Sequence, residues 1–288
     1  MSWTQRREKF RMLLEGDTCI HPISVFDPMT ARMAADLDFE IAMLAGSVAA
    51  MSIAAAPDRI LITATEFADL AHRICAAGDV PLIVDADHGY GNAVNVLRTV
   101  AMLEQAGIAA LTLEDTDLPQ PYDTNGASLI SIAAGVGKMQ AALAGRQDSN
   151  LAIIARTSAI LISGLDDAIA RVRAYSECGV DAIALIGVKT AADLEALCAA
   201  TELPIMLGGL SMNLQDNDYL ARLGVRICLT GHQPFLAAMA AAHHAMICQR
   251  SGEKMPALAT AENIERWTAG DQIASLADQV LRSNKGRT

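Results

Sequence analysis

The sequence predicts an α/β fold of the (β/α)8, or TIM-barrel, class. Three observations carry this. Eight short apolar runs recur from end to end, the stretches between them have helical spacing, and several units close on a similar glycine turn. The runs cover residues 20–26, 39–44, 81–84, 109–113, 151–155, 181–186, 204–207 and 226–230. Each is apolar nearly throughout and lacks polar alternation, as expected of parallel strands buried on both faces. Eight strand–helix units is the number that closes a barrel. The competitor is a doubly wound open sheet, but no GxGxxG or P-loop turn follows the first run.

Taken in order, the chain starts with a charged amphipathic helix over residues 1–17, MSWTQRREKFRMLLEGD, which lacks the apolar segment of a secretory signal. After the first run, Asp27 precedes Pro28 and either caps a helix there or reaches towards a site. The connection after the second run, residues 45–65, is long. The most apolar stretch, residues 41–57, is interrupted by Gly46, Ser47 and Ser52 and is too short to span a membrane. After the third run, residues 93–105 form a helix with Val94, Leu97, Val100, Met102 and Leu103 as its expected core stripe. After the fourth, residues 115–133 are polar and rich in turn formers, as a mobile lid would be. Residues 166–178 open with two acids and end before Gly179, a helix with both termini marked. Glycine in AGD, AGI, CGV and LGV permits the left-handed stop before the next strand. Residues 250–288 are a helical appendix and an expected oligomer contact. The whole chain, 1–288, reads as one barrel domain.

Composition limits the partners. Of 288 residues, 22 are Lys or Arg and 33 are Asp or Glu, a net charge of −11. That balance disfavours nucleic acid and anionic membrane surfaces, which need basic patches. With 52% hydrophobic and 19% charged residues, the chain can build a large core and is too apolar for disorder. Its six cysteines form no CxxC clip, so neither zinc nor a redox pair is indicated. Buried free thiols fit a reducing compartment, and a cytoplasmic location is expected.

A barrel gathers the residues ending each run at one mouth. These are Asp27, Gly46 and Ser47, Asp85 and Asp87, Glu114 and Asp115, Arg156, and His232. Carboxylates crowded on the third and fourth strands repel one another unless a cation or protons compensate. Oxygen donors without Cys or clustered His favour Mg2+, with Mn2+ possible, over zinc. The plainer alternative is that the acids cap helices or pair with arginines. Ser47 either turns the chain or meets substrate. Arg156 is an ordinary ion-pair partner or a bidentate carboxylate clamp. His232 starts a helix or donates a hydrogen bond to a ligand. Tyr90 packs or donates a proton, His88 is unassigned, and His243 and His244 read as structural.

The strings VFDPMTARMA, GSVAA, VDADHGYGNAVNV, LTLEDT, GVGKMQAA and IIARTSA resemble the isocitrate lyase and phosphoenolpyruvate mutase superfamily. Within it, SVFDPMTARMAADL, DHGYGNAVNV and the TGH after the last run look most like the oxaloacetate decarboxylase branch. The resemblance implies a barrel that exchanges a C-terminal helix with a neighbour, giving a homotetramer built as a dimer of dimers. It also implies one Mg2+ held directly by Asp85 and, through water, by Asp58, Asp87 and Glu114. Ser47 and Arg156 would hold an α-keto carboxylate, and His232 the departing end of the substrate. The expected reaction is decarboxylation of oxaloacetate to pyruvate and CO2 through an enolate whose charge the metal stabilises. The lid departs from the lyases, whose KKCGH motif supplies a catalytic Cys: DTDLPQPYDTNGAS has neither Cys nor His. It also lacks the Lys that accompanies Asn in the phosphonate enzymes. A related carbon–carbon lyase, of the 2-methylisocitrate type, or a phosphonopyruvate enzyme is therefore the alternative, and a non-catalytic metabolite-binding barrel the second.

Overall fold

The computed structural model describes residues 1–209, 211, 214 and 216–281. The chain divides into two compact units, Met1–Phe235 and Leu236–Thr288. The first opens with α1 (Trp3–Glu15), whose Ser2 cap and Gln5 form a reciprocal capping box. There follow β1 (Ile23–Ser24), α2 (Pro28–Asp36), β2 (Ala42–Leu44), α3 (Gly46–Ala54), α4 (Ala64–Ala77), β3 (Leu82–Asp85), α5 (Ala93–Gln105) and β4 (Ala110–Glu114). The second half runs α6 (Ile132–Gly145), β5 (Ala152–Thr157), α7 (Ala159–Ile162), α8 (Leu165–Ser176), β6 (Ala182–Ile186), α9 (Ala191–Cys198), β7 (Ile205–Gly208), α10 (Asn217–Arg222) and β8 (Val225–Cys228).

The eight strands lie in one parallel sheet in sequence order. Ile20 joins its ends: its N–H donates to the Arg226 carbonyl and its carbonyl accepts from Cys228 N–H, both at 2.9 Å. The ring is the expected barrel. Its first strand is shorter than the apolar run of residues 20–26. Pro22 has no N–H to give, so Ile20 pairs with β8 and only Ile23–Ser24 pair with β2.

Alternation along each strand separates two cores. Facing inward are Ile41, Met43, Ile83, Ala110, Ala152, Ile154, Ala184 and Met206, closed at one end by Phe10 and Leu14 of α1. Facing outward are Val84, Leu111, Leu113, Ile153 and Leu207, packed with Phe67, Val96, Val100, Leu103 and Tyr175 of the helices. The period of two has a direct consequence for function. Asp85 follows Ile83, Glu114 follows Ala110 and Thr112, and Arg156 follows Ala152 and Ile154, so all three continue the inward face at the C-terminal ends of their strands.

Several expectations change. The buried stripe of α5 is Val96, Thr99, Val100, Leu103 and Glu104. Val94 and Leu97, expected in the core, are 73% and 39% exposed. Positions 96, 100 and 103 are the ones spaced to face the sheet together. The long connection 45–65 contains α3, which begins at Gly46, one residue after β2 ends. Asp27 resolves to a cap: its Oδ1 accepts from Thr30 N–H at 2.7 Å and opens α2. The segment 115–131 is pinned at its base by a two-stranded bridge between Thr116 and Leu129. Asp117 N–H donates to the Ser128 carbonyl and Ile130 N–H to the Asp115 carbonyl.

The second unit comprises most of α11 (Gln233–Ser251), followed by α12 (Ala261–Thr268) and α13 (Gly270–Leu281). Neither α12 nor α13 has a buried residue. Among the described residues no helix is long and apolar enough to cross a membrane.

Candidate active site at the mouth of the barrel

β3 delivers Asp85, and the chain then turns tightly through residues 86–91. Asp87 and Tyr90 take positive φ angles of 47° and 57°, and Gly89 takes 84°. Glycine is required at 89 for space as well, since a Cβ there would lie 2.6 Å from Val96 Cγ2. The turn is fastened to its surroundings. Ala86 N–H donates to the Thr112 carbonyl at 3.0 Å, and Glu114 N–H to the Asp87 carbonyl at 2.8 Å. From α6, the buried Lys138 Nζ donates to the His88 carbonyl at 2.7 Å. The strained segment is thereby held by three hydrogen bonds, two to β4 and one to α6.

Asp85 is the hub. Its Oδ1 accepts from Thr112 Oγ1 at 2.9 Å and from Asp87 N–H at 3.3 Å. Its Oδ2 meets Arg156 Nη1 at 2.5 Å. Arg156 Nη2 lies 3.3 Å from Glu114 Oε2, which also accepts from Thr116 Oγ1 at 2.9 Å. The Asp87 carboxylate sits against Gly46 at the start of α3, where any Cβ would approach its Oδ1 to 2.5 Å. Ser47, in the same first turn, offers a hydroxyl beside N–H groups with no partner within the helix. Such a terminus favours an anion.

Charge is unbalanced here. Burial pushes the Asp87 carboxyl well above its ordinary range, and Asp85 and Glu114 add to the effect while Arg156 opposes it. Burial also raises Glu114, with Arg156 opposing and Asp85 adding. Burial disfavours the Arg156 cation, but Asp85 and Glu114 outweigh it and hold the guanidinium charged. A further positive charge would relieve the carboxylates. Among the described residues no three His, Cys, Asp or Glu side chains form a group able to hold a metal. A cation at this all-oxygen site would thus take most of its coordination from water or ligand, which suits Mg2+ or Mn2+ rather than zinc.

Two cavities, about 390 and 610 Å3, share Asp58, Asp85 and Arg156. The smaller lies over the barrel interior and includes Ser47, His232, Met43, Met206 and Leu229. The larger lies beneath the lid segment and includes Asp87, Glu114, Arg59 and Asp117. Ser47, Asp58, Asp85, Asp87, Glu114, Arg156 and His232 are therefore all brought to this pair of cavities. Asp115 is not. It is fully buried on the outer side, where its Oδ2 accepts from Thr157 Oγ1, Arg171 Nη1 and Tyr175 Oη at 3.0, 2.9 and 2.8 Å. It lies next to the inward Glu114, and strand alternation turns it away.

His88 is buried and its Nδ1 has no partner among the described residues. Burial, then the nearby Lys138, pushes its pKa down to about 4, so the ring is neutral. Tyr90 packs against Phe67, with its hydroxyl buried and without a hydrogen bond among the described residues. Sequence reasoning missed Thr112, Lys138 and Ser24, whose Oγ lies 3.1 Å from His232 Nδ1. The signal for Thr112 and Ser24 was available: each is a lone hydroxyl inside an apolar run.

The family model described as phosphoenolpyruvate phosphomutase matches residues 10–248. An oxaloacetate decarboxylase of Rhodopseudomonas palustris (strain BisA53) is 48% identical over 284 residues, 98% of each chain. One from Bradyrhizobium diazoefficiens is 49% identical over 288 residues, 99% of this chain and all of the other. Among solved structures, a phosphonopyruvate hydrolase in complex with oxalate and Mg2+ superposes with a TM-score of 0.86 at 26% identity, over 98% of this chain and 100% of that one. An oxaloacetate acetylhydrolase superposes with a TM-score of 0.84 at 26% identity, over 95% and 98%.

Proposed function

The chain belongs to the phosphoenolpyruvate phosphomutase family, and from that premise we propose that it is a divalent-metal-dependent oxaloacetate decarboxylase. The observation that carries the reading is the knot of Asp85, Arg156 and Glu114 at a cavity whose lid contributes no Cys, His or Lys. Such a site can polarise an α-keto acid, yet it lacks the lid acid–base a carbon–carbon lyase needs. The decarboxylases that match nearly the whole chain support the same substrate.

Asp85 would hold Mg2+ directly, and Asp58, Asp87 and Glu114 would hold its waters. When bound, the cation supplies Lewis acidity at the carbonyl oxygen, where negative charge grows as CO2 departs. Arg156 offers a planar fork to the α-keto carboxylate, and the start of α3 at Ser47 offers a hydroxyl and backbone donors. His232 would donate one hydrogen bond to the remote carboxylate. Burial lowers its pKa against the pull of Asp85 and Asp58, so the ring donates without clamping that carboxylate as a cation. This is suitable for a group that must lose its charge in the transition state. Met43, Met206 and Leu229 give the same cavity an apolar side, which favours neutral CO2 over the carboxylate.

The chain is proposed to act as one barrel domain with residues 250–288 as an arm, in a homotetramer that exchanges a C-terminal helix. On α13, Ile273, Leu276 and Val280 are 62%, 62% and 72% exposed at a spacing that places them on one stripe. A second copy of the chain would cover that stripe. Six cysteines with no disulfide support a cytoplasmic location.

The test is turnover of oxaloacetate with Mg2+, followed as pyruvate and CO2, beside 2-methylisocitrate and phosphonopyruvate. Release of pyruvate and CO2 that stops in excess EDTA is expected. Turnover of either other compound in preference, full activity in EDTA, or oxalate binding without any turnover would overturn the reading.

A further inference from the structure

We propose that Ser24 is a positioning residue that fixes His232 as the tautomer carrying its proton on Nε2. The inference deepens the proposed function and rests on it for the role of His232, although the tautomer itself does not.

Ser24 is 4% exposed and stands in register with Met43, on the inward face of the barrel. Its side chain makes one hydrogen bond among the described residues, at 3.1 Å to His232 Nδ1. A serine hydroxyl has a single hydrogen to place, and leaving it unpaired in a buried site is costly. Nδ1 is the acceptor at hand. A ring nitrogen that accepts carries no proton, so the proton of the neutral imidazole resides on Nε2. The opposite arrangement, Nδ1–H donating to Oγ, leaves the hydroxyl hydrogen without an acceptor. Nε2 has no hydrogen bond to another described residue, and the ring borders the cavity that holds Asp85, Arg156 and Ser47. A donor is thereby kept ready for an anionic group arriving there.

A second histidine, three residues before Ser24, provides the contrast. His21 Nδ1 lies 2.8 Å from the Cys228 carbonyl, which can only accept. His21 must therefore carry a proton on Nδ1, whichever way the Asn217 amide 2.9 Å from its Nε2 is turned. The end of β1 thus offers a hydroxyl to His232 and the end of β8 a carbonyl to His21, so the two Nδ1 atoms differ in protonation.

The experiment is 15N-histidine NMR of the full chain without substrate, with His232→Gln used to assign the ring. His232 should show an unprotonated Nδ1 and a protonated Nε2, while His21 shows a protonated Nδ1. In Ser24→Ala the His232 signals should move towards mixed tautomers. The same variant should lose about tenfold in kcat for oxaloacetate, the scale of one misplaced hydrogen bond, with KM and oxalate inhibition changed less than about twofold. Ser24→Thr, which keeps the hydroxyl, should recover both the spectrum and the rate. Adding Ser24→Ala to His232→Gln should cost nothing more, because the two act through one ring. A protonated Nδ1 on His232 in the unaltered chain, or a Ser24→Thr variant that folds with mixed tautomers, overturns the proposal. So does a loss of kcat in Ser24→Ala with the tautomer unchanged. If the chain turns over no oxaloacetate, the spectra still decide the tautomer, and only the reading of the reaction fails.

Discussion

At the N-terminal ends of the strands, Arg6, Arg7, Arg11 and Arg146 meet Asp79, Glu104, Asp148 and Asp181. At the C-terminal ends, Arg156 is the one cation paired with Asp85 and Glu114 among the described residues, with Asp87 and Asp58 close by. The first network is nearly complete. Arg7 donates to the Ile108 and Glu104 carbonyls at 2.9 and 2.6 Å and to Asp148 at 2.8 Å. Asp181 takes Arg11, Arg146 and the Ile153 N–H. Arg6 Nε is the one side-chain atom of these eight residues that is buried without a partner among the described residues. The second network has surplus negative charge, and Arg156 Nε is buried without a hydrogen bond among the described residues. Equal numbers of opposite charges, locked by backbone carbonyls, anchor α1 across the closed end of the barrel. Unequal numbers facing a cavity leave room for a cation and an anionic ligand. The same residue types close a network at one end and, on the function proposed above, serve chemistry at the other.

That contrast can be broken most sharply at its two hubs. Asp85→Ala should abolish decarboxylation and binding of Mg2+ or Mn2+, yet leave the melting temperature unchanged or higher, because it removes one of several repelling acids. A calorimetric melt beside a metal titration checks both parts, and a lower melting temperature would erase the distinction between the two ends. Arg7→Met should do the reverse. Breaking a buried ion pair by removing one partner costs about 3–5 kcal/mol, which denaturant unfolding would register, while kcat per folded molecule stays the same.

Smaller effects sharpen the picture. Glu114→Gln should weaken metal affinity about 10–100-fold, as for groups that orient a metal's waters, measured by activity against metal concentration. The two ends should also respond oppositely to pH. Asp87 and Glu114 are raised in the fold above 3.8 and 4.5, so the stability they contribute is present at low pH and lost as pH rises through their folded values. At the other end, burial alone would raise Asp148, but hydrogen bonds from Arg7, Asn150 and Thr4 hold it below 3.8. Its contribution is present above 3.8 and lost as pH falls further. Metal-free protein should therefore lose stability on going from pH 4 to neutrality, and Mg2+ should restore it, whereas Arg7→Met should flatten only the acid limb. Melts across pH with and without EDTA read this directly. Smallest of all, Tyr122→Phe at the 99% exposed tip of the lid segment should alter kcat less than about twofold. A larger loss in a steady-state assay would place chemistry on the lid.

Much of this was legible in one dimension. Runs such as residues 151–155 and 181–186 announce buried parallel strands by being apolar on both faces. Period-two alternation then sends Asp85, Glu114 and Arg156 to one mouth without further information. Local chemistry also decided Asp27, where Thr30 three residues on completes the cap of α2. The periodicity of α5 was legible but its phase was not. Val94 and Leu97 are as apolar as Val96 and Val100, and only docking against the sheet chooses which face is buried.

Tertiary structure alone decided the rest, because the partners are distant in sequence. Asp115 looks like a mouth acid beside Glu114 until Arg171 and Tyr175, which lie 56 and 60 residues away, claim it from the outer layer. Ser24 and His232 are 208 residues apart and become neighbours only when Ile20 and β8 close the ring. A sequence states which side chains can donate, accept or carry charge. Which of them are buried together, and so must satisfy one another, is settled by the closure of the barrel, since only there does an unpaired polar atom lose the water that would otherwise serve it.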